Sequence, residues 1–207
     1  MRSLAEIRSA LSAHEPETLP PPPTGHAAVA VILREVDGIP EVLFIERAKR
    51  EGDPWSGHMA FPGGRLDPAD EEAQNAAERE TLEEVGVSLA DAEVLGRLDD
   101  LRGIHAAALD RATVISAFVY HVEDPGPLKP NWEVEQAFWF PLASLCDPAR
   151  YVEYSMRLSG GLCYPGILVG EPERHVVWGL TYRFLEVFFR IIGCPLPNRW
   201  ESLGVSP

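Results

Sequence analysis

Basic residues are scarce in this chain. Eighteen Lys and Arg stand against 32 Asp and Glu, a formal net charge of −14 at pH 7. The deficit is steepest between residues 66 and 100, where twelve acids meet two bases, Arg79 and Arg97. A long nucleic acid is therefore not an expected partner, because its binding draws on cationic side chains that displace condensed counterions. A small phosphorylated molecule bridged by metal stays open. Cysteine is equally sparse: Cys146, Cys163 and Cys194 are odd in number and match no zinc spacing. They read as inert thiols in a reducing compartment. No run reaches the ~18 apolar residues of a membrane span. The opening stretch MRSLAEIRSALSAHEPE lacks the continuous apolar segment of a secretory signal, so the expectation is a cytoplasmic protein with no membrane partner. His58, His105, His121 and His175 are scattered without zinc-like spacing, and no Gly-X-Ser-X-Gly elbow is present. Zinc chemistry and covalent serine hydrolysis find no support.

What remains is ordinary globular material: 207 residues, 45% hydrophobic and 24% charged, enough for one buried domain of α+β type. Leu4, Ile7 and Leu11 recur at helical spacing and predict a short amphipathic helix over residues 3–13. Pro16 and Pro20 to Pro23 then forbid helix and make a stiff connector. Residues 1–24 thus read as an arm on a domain spanning 25–207. The arm is free to lie on its own core or on the partner subunit of a homodimer, and the sequence does not choose. Residues 26–36 and 41–47 predict a hairpin around Asp37-Gly38, and residues 48–58 a loop. Further strands are expected at 92–98, 112–122 and 135–140, with short strand-like pieces over 150–177. Residues 178–192, WGLTYRFLEVFFRII, predict a largely buried helix.

The chemistry concentrates in residues 61–87, FPGGRLDPADEEAQNAAERETLEEVGV. A turn at Pro62-Gly63-Gly64 leads to a helix expected from about Asp70 to Val85. Ala73, Ala77, Thr81 and Val85 form one four-residue row, small enough to sit close to a sheet. Glu80 and Glu84 form the adjacent row and so border the packed interface, with Glu83 within a turn of both. Three like charges at this spacing call for a cation, and carboxylate oxygens suit Mg²⁺ or Mn²⁺.

Residues 64–87 resemble the Nudix box. Glu71 lies eight before Arg79, followed by Glu80, Thr81, Leu82, Glu83, Glu84, Val85, Gly86 and Val87. Thr81 replaces the usual aliphatic residue, and Gly64 lies seven before Glu71 where the general box has six. The resemblance implies an α/β/α sandwich around a mixed sheet and hydrolysis of a nucleoside diphosphate linked to another group. It implies Mg²⁺ or Mn²⁺ held by Glu80 and Glu84, with Glu83 a ligand or base and the Gly64 carbonyl a further ligand. Glu71 and Arg79 are expected to pair and brace the loop. The general base is expected among Glu83, Glu84 and an acid of a later loop, Glu133 or Glu135, with Glu135 taken as the catalytic one. Arg47 and Arg65 are expected to reach the substrate phosphates, a role that the planar guanidinium suits.

The one-residue insertion and the Phe-Pro-Gly-Gly-Arg start are similar to the coenzyme A pyrophosphatase branch, which would release a 3′,5′-adenosine bisphosphate and a 4′-phosphopantetheine product. Gly57 and Phe61 to Gly64 match the end of that branch's upstream signature, and Leu43 to Arg47 resemble its start. Its second arginine is here Asp53, with Arg50 a candidate substitute. Val177-Trp178-Gly179-Leu180-Thr181 resembles the segment opening the branch's last helix. The alternatives are hydrolysis of a sugar nucleotide, dinucleotide or oxidised nucleotide, or a catalytically silent Nudix binding module. The silent module is disfavoured because every box glutamate is present. An isoprenoid diphosphate isomerase is disfavoured because no cysteine precedes residue 146.

Overall fold

The computed structural model describes residues 2–22, 25–51, 55–105, 108–155, 163–200 and 203, with the backbone alone over 104–105 and 108–112. Asp53, the departure in the upstream signature, lies outside the described residues. In chain order the elements are α1 (Leu4–Ser12), β1 (His26–Val36), β2 (Ile39–Arg47), β3 (Met59–Ala60), β4 (Gly63–Arg65) and α2 (Ala73–Val85). There follow β5 (Glu93–Arg97), β6 (Leu101–His105), β7 (Ala108–His121), β8 (Val134–Pro141), β9 (Tyr151–Ser155), β10 (Cys163–Leu168), β11 (Val176–Trp178) and α3 (Gly179–Ile191).

The first eight strands form one mixed sheet with β1 at its centre. β1 pairs antiparallel with β2, as expected of the hairpin, and parallel with β7 from His26↔Val114 to Leu33↔His121. Side chains alternate across a strand, so a sheet covered on both faces must be apolar on both. β1 meets this demand: Ala28, Ala30 and Ile32 face one way, against α2, while Val31 and Leu33 face the other, against α1 and α3. Two buried clusters result, one on each face, and the architecture is an α+β sandwich with helices on both sides of a mixed sheet. A second, three-stranded sheet in the order β11-β10-β9 leads into α3.

The N-terminal arm lies on its own core. Leu4, Ile7 and Leu11 are buried in the α3-side cluster, and α1 packs against β5. The connector is tied down by charge: the Asp99 carboxylate accepts from the Glu17 N–H, bonds His14 at 2.9 Å and pairs with Arg190, while Asp100 accepts from the Leu19 N–H at 2.8 Å. Because Ile7 is 0% exposed, Ile7→Ala is expected to cost about 2–4 kcal/mol of stability. Urea unfolding measures this, and a loss of only a few tenths would show that the arm is dispensable to the core.

Two expected boundaries shift. Pro62-Gly63-Gly64 does not form a free turn, because Gly63 to Arg65 pair with Val29 to Ala27 of β1 as the strand β4. The acidic helix starts at Ala73 instead of Asp70. Asp67 and Asp70 are occupied in a local turn, where Asp67 accepts from the Ala69 N–H and Asp70 from the Asp67 N–H. The strand β6 had no counterpart among the expected elements. It forms a hairpin with β7 that the Asp99-Asp100 start and Gly103 disguised as loop.

Candidate active site

α2 rests on the sheet through Ala76, Ala77, Thr81 and Val85, all buried. Thr81 fits this row because its hydroxyl donates to the Ala77 carbonyl at 2.7 Å, which satisfies the polar atom and leaves the methyl to pack. The same face turns Glu84 inward to 2% exposure. One of its oxygens accepts from the Gly63 N–H at 2.9 Å. Gly63 must be glycine, since its φ is +150° and a Cβ there would run into the Ala28 carbonyl and Val29. Gly64 is constrained differently: the Glu80 carboxylate lies where a Gly64 Cβ would be. The glycine pair therefore lets α2 present Glu80 and Glu84 directly against the β4 backbone.

The third acid comes from the loop before β8. The last carbonyls of a helix have no partner within it, and here that loop supplies them. Lys129 N–H donates to Val85 and Asn131 N–H to Glu84, both at the C-terminal end of α2. The Asn131 side chain then accepts from the Glu133 N–H at 2.7 Å, and the Glu133 carbonyl accepts from the Ala48 N–H just past β2. The strap delivers Glu133 to the helix. Glu80, Glu84 and Glu133 each offer a carboxylate oxygen within 4.8 Å of the others.

The charges of this set are offset in part by Arg79 on Glu80 and Arg50 on Glu133. Ionised carboxylates at this separation repel by roughly 3 kcal/mol per pair at an effective dielectric of about 20. The Glu84 carboxyl is pushed up to about 7, first by burial and then by Glu80 and Glu133, against the Gly63 N–H and the Arg47 charge that pull it down. The donor set is oxygen alone, with no histidine or cysteine, which fits Mg²⁺ or Mn²⁺ and not zinc.

The other residues singled out from sequence fall as follows. Glu83 is largely exposed, 3.6 Å from Arg79, and outside the three-acid cluster. Glu135 is exposed as well, one residue beyond the buried Val134, and lies outside the cluster. The acid that this segment brings to the cluster is Glu133, and Glu135, expected as the catalytic one of the pair, lies outside it. The brace on Arg79 also needs correction: its guanidinium donates to both oxygens of Asp70, at 3.2 and 2.9 Å, while Glu71 is exposed. Asp70 holds the ordinary box distance from Gly64 and Glu71 the ordinary distance from Arg79; the inserted residue separates the two rules. Arg79 draws the Asp70 carboxyl below its usual range, and also bonds Glu80 at 2.8 Å and the Arg65 carbonyl at 3.1 Å.

Arg47 sits at the end of β2, where a register shift opens the β2–β8 pairing, and its charge acts on Glu84. Such irregularities re-aim side chains beside functional sites. Arg65 is exposed on β4, with its side chain at the surface. Arg50, the candidate substitute for the branch's second arginine, donates to Glu133 at 3.0 Å. On the opposite face of β2 the buried Glu46 is held by both arms of the Arg174 fork, at 2.9 and 2.8 Å. It lies in the wall of a pocket of about 420 Å³ that Lys49, His58, Tyr154 and Trp178 also line. Trp178 is buried there and stacks on Tyr154, with ring centroids 4.5 Å apart.

Known proteins resemble this chain in sequence and in fold. A NUDIX domain profile matches residues 24–157. The mitochondrial coenzyme A diphosphatase NUDT8 of Homo sapiens is 34% identical over 168 residues, covering 80% of this chain and 69% of that protein. Its Mus musculus counterpart is 31% identical over 174 residues, covering 80% and 77%. Among solved structures, a MutT/nudix family protein from Enterococcus faecalis superposes with a TM-score of 0.53 at 20% identity, over 93% of this chain and 70% of that one. A NUDIX hydrolase from Alicyclobacillus acidocaldarius gives 0.51 at 19%, over 88% and 98%, and these two likenesses establish the fold. The chain belongs to the Nudix family and is a Nudix pyrophosphohydrolase.

Proposed function

We propose that this enzyme is a divalent-metal-dependent hydrolase of the diphosphate linkage in coenzyme A or its acyl esters. The observation that carries the metal dependence is the convergence of Glu80, Glu84 and Glu133 within 4.8 Å. A diphosphate adds negative charge to an already acidic site, so substrate and site are compatible only across a shared cation. Glu80, Glu84 and Glu133 would hold Mg²⁺ or Mn²⁺, with the Gly64 backbone beside Glu80. When bound, the metal neutralises the diphosphate and lowers the pKa of a coordinated water.

The chain's own residues then have distinct tasks. The Gly63 N–H fixes one Glu84 oxygen and leaves the other for the site. Arg79, anchored on Asp70 and the Arg65 carbonyl, orients Glu80. Arg47 supplies a fixed positive charge beside Glu84, suited to a phosphate oxygen that arrives there. Within the family, coenzyme A as substrate is supported by the likeness to the two mitochondrial coenzyme A diphosphatases and by the Phe61-Pro62-Gly63-Gly64-Arg65 start.

The deciding experiment offers the purified protein, with Mg²⁺, a panel of coenzyme A, ADP-ribose, sugar nucleotides, diadenosine polyphosphates and oxidised nucleotides, with products identified by mass. The expected outcome is preferential release of 3′,5′-adenosine bisphosphate and 4′-phosphopantetheine from coenzyme A. Brisk turnover of another panel member with coenzyme A untouched would overturn the substrate.

A further inference from the structure

Trp132 has the most exposed side chain among the large hydrophobic residues described, at 73%. An indole left in water forgoes the burial that normally retains it, and this one stands next to Glu133 at the acidic cluster. Its surroundings are ordered. The Arg50 guanidinium lies over the ring, 3.9 Å from the centroid, and the same guanidinium donates to Glu133 at 3.0 Å. The flanking backbone is pinned on both sides, at Asn131 to α2 and at Glu133 to Ala48. One face of the indole is thus occupied by a cation tied to the cluster, and the large remaining exposure belongs to its other face and edge. The ring is held in place with a free π surface adjoining the region where a diphosphate would be bound.

We propose that Trp132 is the platform on which the base of a nucleoside diphosphate stacks, with Arg50 bracing the indole from behind. The proposal rests on the reading that Glu80, Glu84 and Glu133 are the diphosphate site, and it extends that site to the nucleoside end of the substrate. Aromatic stacking suits this position because every base offers a π face. The Arg50 contact adds a cation–π attraction and spares part of the ordering cost on binding, since the ring is already positioned. Trp132 reads the base and not the phosphates, whereas the acids and Arg47 act on the phosphates alone.

That division gives the test. Calorimetry in Mg²⁺ compares α,β-methylene-ADP with methylenebisphosphonate, which carries the diphosphate mimic without a nucleoside, on wild type, Trp132→Ala and Trp132→Phe. Stacking predicts that Trp132→Ala weakens the nucleotide analogue about tenfold or more while methylenebisphosphonate stays within about twofold. Trp132→Phe keeps most of the affinity but loses the fluorescence quench that the nucleotide analogue produces in the wild type. Wild-type affinity for the nucleotide analogue in Trp132→Ala would overturn the platform. So would equal weakening of both ligands, which would mean that Trp132 only props the Glu133 loop, and so would a wild type that binds methylenebisphosphonate and the nucleotide analogue equally well. Neither ligand is cleaved, so a wild type inactive on coenzyme A would defeat the substrate assignment and leave these ratios readable.

Discussion

Glu84→Gln is expected to remove nearly all turnover and, at the same time, to stabilise the metal-free protein at alkaline pH. Both effects follow from one placement. Glu84 is 2% exposed, with Glu80 and Glu133 beside it and the Gly63 N–H as its hydrogen-bond donor. Glutamine keeps the shape and can still accept from Gly63 through its amide oxygen, so the β4–α2 contact survives. The charge that would hold the cation is gone. Losing the charge stabilisation of a bound metal predicts a fall in kcat of about a thousandfold. The stability effect runs in the opposite direction. The unfolded carboxyl titrates near 4.5, and the native one, without metal, near 7. Between these values the native state holds a proton that the unfolded state has lost, so the contribution of Glu84 is fully present below 4.5 and disappears as pH rises through 7. By about pH 8 the wild type carries a penalty of about 3 kcal/mol that a glutamine does not. Urea unfolding in EDTA at about pH 5 and about pH 8 should therefore show the variant gaining on wild type mainly at the higher pH, and Mg²⁺ should close the gap by stabilising wild type alone. Near-normal turnover of the purified variant in Mg²⁺ would refute the place given to Glu84.

Glu80 and Glu84 are readable because a four-residue spacing beside a row of Ala and Thr puts carboxylates at a packed edge whatever the rest of the fold does. The hairpin and the helix α3 are legible for the same reason, being local patterns. The errors share a different cause. Asp70 and Glu71 are adjacent acids, and only the turn that delays α2 to Ala73 decides which one faces Arg79. The docking of the arm could not be read because Leu4, Ile7 and Leu11 state which face of α1 is apolar and nothing about what covers it. The choice between Glu133 and Glu135 was hidden by a tertiary device: the strap that satisfies the final carbonyls of α2 joins residues 129–133 to a helix that ends more than forty residues earlier in the chain. No periodicity records such a bond.

The strap also makes Glu133→Gln the sharpest test of the three-acid site, with Glu135→Gln as its control. The two residues are two positions apart, flanking Val134, and from sequence either could serve. In the fold Glu133 lies with Glu80 and Glu84, while Glu135 faces solvent from β8. Glu133→Gln is expected to raise the Mg²⁺ concentration for half-maximal activity by on the order of tenfold or more, and to lower turnover at low Mg²⁺ by about a hundredfold. Glu135→Gln should stay within about twofold of wild type on both measures, as solvent-facing substitutions generally do. The backbone bonds from Asn131 to Glu84 and from Ala48 to Glu133 involve no side chain of residue 133, so the strap holds in the variant. Arg50 loses its charged partner but keeps the Trp132 ring. A rise in the Mg²⁺ requirement therefore reports on the cluster and not on a collapsed loop. If the two variants exchanged these outcomes, the acid of the later loop would be Glu135, and the strap would have to release Glu133 before the enzyme could act.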